Sequence, residues 1–119
     1  MMLAILVIDD EVRLAKNIQA YLQHFDFDVR KSENGLQGLE EFERFKPDVV
    51  LLDLKLPDIN GLEVLKRLRN LDAAAKVIMI TGTANGKIKA AAIKAGALEY
   101  LTKPLVLKDL KLLIDKVAA

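Results

Sequence analysis

The sequence predicts a doubly wound α/β fold, a five-stranded parallel sheet flanked by five helices, and three observations predict it. Short apolar runs alternate five times with stretches of helical periodicity, the sign of a sheet covered by helices on both faces. The run Val49-Val50-Leu51-Leu52 is apolar without interruption, which suits a strand buried on both sides. Polar residues follow the runs directly, where an open parallel sheet presents its ligand-binding edge.

The first strand is Leu3 to Ile8, and Leu14, Ile18, Leu22 and Phe25 then recur at helical spacing to give a first helix its buried face, with His24 near its end. A weaker strand over Phe27 to Lys31 leads to Asn34, a candidate N-cap, and Leu36, Leu39 and Phe42 mark the second helix. Pro47 disfavours helix at Lys46 and stops that element. Val49 to Leu52 is the central strand. The stretch from Asp53 to Gly61 contains Pro57, Asp58, Asn60 and Gly61 and reads as a loop before Leu62, Leu65 and Leu68 trace the third helix. Val77 to Ile80 is the fourth strand. Ile88, Ala91, Ala92 and Ala95 line the fourth helix, which Gly96 ends in a left-handed cap. Leu98 to Leu101 is the fifth strand, and Leu107, Leu110, Leu113, Ile114 and Val117 form the apolar face of the last helix.

A chain of 119 residues with 52% apolar and 29% charged composition suits one globular domain over residues 1–119 and excludes a disordered or fibrous class. The absence of cysteine excludes disulfides, zinc-thiolate sites and thiol nucleophiles. The apolar runs fall far short of the ~18 residues of a membrane span, and no secretory leader is evident, so a cytoplasmic protein is expected. Net charge is +1, with an acidic excess before residue 84 and a basic excess after it, a tilt that a solvated surface explains as readily as an acidic partner.

Four strand ends carry the candidate chemistry: Asp9-Asp10-Glu11, Asp53, Thr81-Gly82-Thr83 and Thr102-Lys103-Pro104. Clustered carboxylates repel one another unless a cation or a lysine neutralises them. An oxygen-only donor set without histidine or cysteine suits a hard ion such as magnesium better than zinc. A carboxylate beside such an ion is a plausible nucleophile toward phosphorus, and Asp53 is central. Lys103 would pair with a phosphoryl oxygen and the Thr81 hydroxyl would donate to one. Taken singly, Asp10 also reads as a helix cap, Asp9 as a solvated acid, Lys103 as a surface lysine and Thr81 as a strand-end hydroxyl; the combination favours the site.

The pieces Ile8-Asp9-Asp10-Glu11, Leu51 through Gly61, Ile80-Thr81-Gly82, Lys94-Ala95-Gly96-Ala97 and Tyr100-Leu101-Thr102-Lys103-Pro104, in this order and spacing, resemble the receiver domains of two-component response regulators over essentially the whole chain. The resemblance implies the flavodoxin-like strand order 2-1-3-4-5, of which the chemotaxis receiver is a known example. It further implies Mg2+, with Mn2+ as an alternative, held by Asp10, Asp53 and the Lys55 backbone carbonyl, with Asp9 assisting through water. Asp53 would be the phosphoacceptor, a histidine kinase the donor, and Lys103 and Thr81 the catalytic companions. The domain would catalyse its own phosphorylation and, in some members, its own dephosphorylation, acting as a switch rather than a metabolic enzyme. Thr81 and Tyr100 would form the switch, with Tyr100 read otherwise as an edge-strand packing aromatic. The fourth helix, fifth strand and fifth helix would be the output face, serving a downstream effector, an output domain or a second copy of the chain. Lys103-Pro104 would be a cis peptide.

The chain departs from the commonest family pattern at Val106, which removes the usual cap of the last helix, and at Gly82, where alanine is more usual. A flavin-binding protein would share the fold but needs a phosphate-accepting loop where Asp9-Asp10-Glu11 stands. A haloacid-dehalogenase-type phosphatase places its nucleophile after the first strand and a second acid two residues on; here that position is Glu11 after Asp9, and the downstream threonine is missing. A receiver-like scaffold that binds partners without phosphorylation is the remaining alternative. Neither a strong basic excess nor a helix-turn-helix supports nucleic-acid binding by this domain, and no membrane partner is expected.

Overall fold

The computed structural model describes residues 2–83 and 85–119. Its elements are β1 (Ala4–Ile8), α1 (Val12–Gln23), β2 (Asp28–Ser32), α2 (Gly35–Phe45), β3 (Val49–Asp53), α3 (Gly61–Leu71), β4 (Val77–Thr81), α4 (Gly86–Lys94), β5 (Glu99–Thr102) and α5 (Leu107–Ala118). The strands form one parallel sheet in the order β2-β1-β3-β4-β5, as the family resemblance implies. Sheet order reverses direction between β1 and β3, and this sends the helices to opposite faces.

Alternation along the central strands builds two apolar layers. Leu6 and Ile8, Val50 and Leu52, and Val77 and Met79 face α2, α3 and α4, where Phe42, Val64, Leu65, Leu68 and Ala92 cover them. Ile5 and Val7, Val49 and Leu51, and Ile78 and Ile80 face α1 and α5 and meet Ala15, Ile18, Leu22, Leu110 and Ile114. Each fully buried aliphatic side chain contributes roughly 1.5–3 kcal/mol, so these layers are the main force holding the sheet edge in place.

Helix ends follow local chemistry. Asn34 Oδ1 accepts from Gln37 N at 2.8 Å, the expected N-cap of α2. Lys46 adopts a left-handed conformation (φ 52) immediately before Pro47 and ends that helix. Gly96 has φ 112 after α4, the predicted left-handed stop. Val106 stands at the N-cap of α5 with no side-chain hydrogen bond, so that helix is fastened by Leu110 and Ile114 and by Lys111, whose Nζ lies 4.7 Å from the Phe25 ring centre.

Four expectations need correction. Phe25 lies beyond the end of α1 and is 42% exposed, because the chain turns at Asp26 (φ 63) before another helical repeat. Leu36 is 50% exposed; α2 instead packs through Gly35 and Gly38, where a Cβ would come within 2.7 Å of Ile59 Cγ1 and 2.6 Å of Ile8 Cδ1 respectively. An apolar count overlooks glycines that allow such close approach. Ala91 is exposed while Ala92 is fully buried, since adjacent alanines give the helical period no contrast. Leu98 precedes β5 and is 45% exposed.

A second anchor on α2 comes from far along the chain. Asp58 accepts from Gly35 N and Leu36 N, each at 2.8 Å, and from Ile59 N at 2.8 Å. Desolvation alone would raise its pKa, but the three donors outweigh it and hold the carboxyl below its ordinary 3.8. Asp58→Ala is therefore expected to lose about 1–2 kcal/mol of stability at pH 7 in urea unfolding, the size of a lost cap. Because the folded-state pKa is depressed, this loss is present above pH 4 and should close as pH falls through that lowered value.

Candidate active site

Sheet register assembles the site. Ile8 pairs with Leu52 and Asp53 with Ile80, so Asp9 emerges beside Asp53, with Thr81 at the next strand end. Thr81 in turn pairs with Thr102, which puts Lys103 just beyond the same edge. The Lys103 N–H donates to the Thr81 carbonyl at 2.7 Å, fixing the start of the lysine's loop; its peptide bond to Pro104 is cis, as the resemblance implied.

Oxygen atoms of Asp9, Asp10 and Asp53 lie within 4.8 Å of one another. Asp9 is fully buried and Asp53 is 4% exposed, which overturns the reading of Asp9 as a solvated acid. Asp10 is exposed and does not cap α1, whose N-cap is Glu11. The Lys103 ammonium faces Asp9 Oδ2 at 2.9 Å, Asp53 Oδ2 at 3.1 Å and Glu11 Oε1 at 2.8 Å. Its side chain is only 12% exposed, so it is no ordinary surface lysine. Asp10, Glu11, Asp53, Lys55, Thr81, Gly82, Thr83 and Lys103 line an open cleft of about 620 Å³. Most of the sequence-nominated residues therefore meet in one place; Tyr100 stands apart from the cleft lining, its hydroxyl donating to the Thr83 carbonyl at 2.9 Å.

Electrostatics explain the state of the acids. Burial pushes the Asp9 carboxyl from its ordinary 3.8 up to about 6; the Glu11 N–H at 2.9 Å and Lys103 pull it back, and the Asp53 charge adds to the rise. Burial would lower the Lys103 pKa, but the three carboxylates overcome it and hold the ammonium above its usual range. A raised acid pKa means the folded chain binds that proton more tightly, so the penalty for Asp9 builds as pH rises from 3.8 to about 6 and is complete above it. Asp9→Asn is accordingly expected to be more stable than the parent at pH 7 in a metal chelator, with the advantage shrinking toward pH 4; a pH-independent difference in urea unfolding would count against this assignment.

The loop after Asp53 is held tightly. Gly61 N donates to the Leu54 carbonyl at 2.6 Å, and a Cβ at Gly61 would collide with the Asp53 carbonyl oxygen and stand 2.7 Å from Leu54 Cα. Only glycine allows this return of the chain. Together with Asp58 on the N-terminus of α2, it fixes the backbone between Asp53 and α3, on which Lys55 sits.

Two contributors escaped the reading of the sequence. The sequence groups Glu11 with the strand-end acids without indicating its partner, and it offers Asp58 only as part of a loop composition. Their partners lie too far along the chain for local patterning to reveal, although a third acid directly after Asp9-Asp10 is a signal of a further carboxylate neighbour for the lysine.

The family model for the response regulator receiver domain matches residues 5–115. The chemotaxis protein CheY of Listeria monocytogenes is 36% identical over 104 residues, covering 87% of this chain and 87% of that protein. The transcriptional regulatory protein TrcR of Mycobacterium tuberculosis is 32% identical over 106 residues; the match takes in 89% of this chain but 41% of TrcR. Among solved structures, a CheY-like receiver domain protein from Methanospirillum hungatei superposes with a TM-score of 0.96 at 29% identity, covering 99% of this chain and 94% of that one. The response regulator TrrA of Thermotoga maritima, crystallised with Mg2+ and BeF, gives a TM-score of 0.88 at 32% identity over 98% of this chain and 99% of its own.

Proposed function

The chain belongs to the response regulator receiver domain family, and on that premise we propose that residues 1–119 form one phosphoacceptor switch that takes a phosphoryl group from a histidine kinase onto Asp53. The observation that carries the reading is the meeting of three strand-end carboxylates with a nearly buried lysine at one edge of the sheet.

The oxygen-only donors fit a hard divalent cation, Mg2+ or Mn2+. Asp10, Asp53 and the Lys55 carbonyl would hold it, with Asp9 assisting through water, and when bound it supplies charge neutralisation among the acids and on the phosphoryl oxygens. The chain's own groups do the rest. One carboxylate oxygen of Asp53 attacks phosphorus, forming an acyl phosphate as the bond to the kinase imidazole nitrogen breaks. Lys103 pairs with one phosphoryl oxygen and the Thr81 hydroxyl donates to another, both from positions already ordered by the sheet.

Drawing Thr81 toward the phosphoryl group would alter the loop through Thr83, whose carbonyl holds the Tyr100 hydroxyl. Tyr100 would then carry the change to the face made by α4, β5 and α5, which we assign to an effector, an output domain or a second copy of the chain. A coupling of ~1–3 kcal/mol between the two places is enough to move such an equilibrium. Among the described residues, no helix is long and apolar enough to cross a membrane.

Incubation with acetyl phosphate and Mg2+, followed by intact-mass measurement, tests the proposal. The expected result is a gain of one phosphoryl group that a chelator prevents. Folded protein that gains nothing would favour a scaffold that binds partners without phosphorylation.

A further inference from the structure

The Lys103 ammonium has three N–H donors, and three carboxylates surround it. Two of them, Asp9 and Asp53, are buried at strand ends, and Asp9 Oδ1 is tied to the Glu11 N–H at 2.9 Å. Glu11 differs: its side chain is 58% exposed, yet it makes the shortest of the three contacts, at 2.8 Å. It also stands at the N-cap of α1 without capping that helix, its carboxylate being turned to the lysine instead. A residue placed where a cap belongs, but spent on an ion pair across the cleft mouth, points to a role at the site.

We propose that Glu11 is a positioning residue that holds Lys103 among the acids before phosphorylation and releases it to the phosphoryl group afterwards. The inference rests on the reading of Asp53 as phosphoacceptor. Once an Asp53 oxygen is esterified, that side chain is no longer a carboxylate, and the phosphoryl oxygens that carry the new charge compete with Asp9 and Glu11 for the lysine. Of the two carboxylates that remain, Asp9 and Glu11, Glu11 is the one whose departure leaves no buried charge, because it can rehydrate at the surface. Until then, its negative charge and its claim on Lys103 both oppose an incoming anionic donor, so Glu11 sets the rate of phosphoryl uptake without touching phosphorus.

Glu11→Asp separates the two effects, since it keeps the charge and shortens the reach. The rate of acetyl phosphate uptake with Mg2+ would be measured for the parent, Glu11→Asp and Glu11→Gln, each checked for folding by circular dichroism. Both variants are expected to be faster by about two- to fivefold, the scale of an exposed ion pair. A fast Glu11→Gln beside a parent-like Glu11→Asp would reduce the effect to charge repulsion and overturn the proposal, as would two unchanged or slower variants. In metal-free, unphosphorylated protein, the Lys103 ammonium resonance in ¹⁵N-detected spectra should shift in both variants; an unmoved resonance would overturn the clamp whatever the kinetics. A parent protein that takes up no phosphoryl group defeats the functional reading and this inference with it, while a phosphorylated parent with a parent-like Glu11→Asp defeats the inference alone.

Discussion

Asp53→Asn is expected to abolish phosphoryl uptake from acetyl phosphate completely, with the fold retained. The amide offers no carboxylate oxygen to attack phosphorus, and no other acid stands in the same relation to the site. Asp53 terminates β3 between β1 and β4, 4% exposed, with Lys103 at 3.1 Å and the Thr81 strand end alongside. Asp9 is fully buried and committed to the Glu11 N–H and Lys103, whereas Asp10 is exposed at the rim. Intact mass would show the parent gaining one phosphoryl group and the variant none, and circular dichroism would confirm folding. Retention of the gain in Asp53→Asn would move the acceptor elsewhere.

Lys103→Met should produce the largest loss of stability of any single change in the site. It leaves Asp9 and Asp53 as buried carboxylates facing each other without a counter-charge, a situation that costs about 3–5 kcal/mol when one partner of a buried pair is removed. The loss should be larger at pH 7 than at pH 5 in a chelator. It should lessen as pH falls, beginning above the parent's value of about 6 because the lysine that held the Asp9 carboxyl down is gone, as protonation of Asp9 removes one of the two charges. In the parent, the raised Lys103 pKa means that the lysine's own titration removes nothing below the ordinary lysine range, and on the alkaline side its contribution fades as pH rises through the elevated folded-state value. Mg2+ should partly restore the variant by mass action, by about 2.7 kcal/mol at a hundredfold excess over its dissociation constant. Urea unfolding at pH 5 and pH 7, with and without Mg2+, reads all of this; a loss indifferent to both pH and Mg2+ would mean that the lysine acts through packing.

The order of strands and helices and the identity of the acidic set were readable without coordinates, because both are local matters. Residues such as Leu14, Ile18 and Leu22 repeat at the helical period, Val49 to Leu52 form one uninterrupted apolar strand, and a polar residue directly after such a strand must emerge at the sheet edge. Periodicity is weaker where the burying residue is small. It nominated Leu36, where Gly35 and Gly38 make the close contacts, and it nominated Ala91 along with Ala92, of which only Ala92 is buried.

The sequence by itself determined that five parallel strands present Asp9, Asp10, Asp53, Thr81 and Lys103 at their carboxyl ends. Tertiary structure alone decided who pairs with whom: Lys103 with Glu11, 92 residues earlier, and Asp58 with the N-terminus of α2, 22 and 23 residues earlier. The physical reason is that backbone periodicity reports which face of an element is buried, whereas partners this distant are selected by the register of neighbouring strands and the path of the loops between them, quantities that exist only once the sheet has formed.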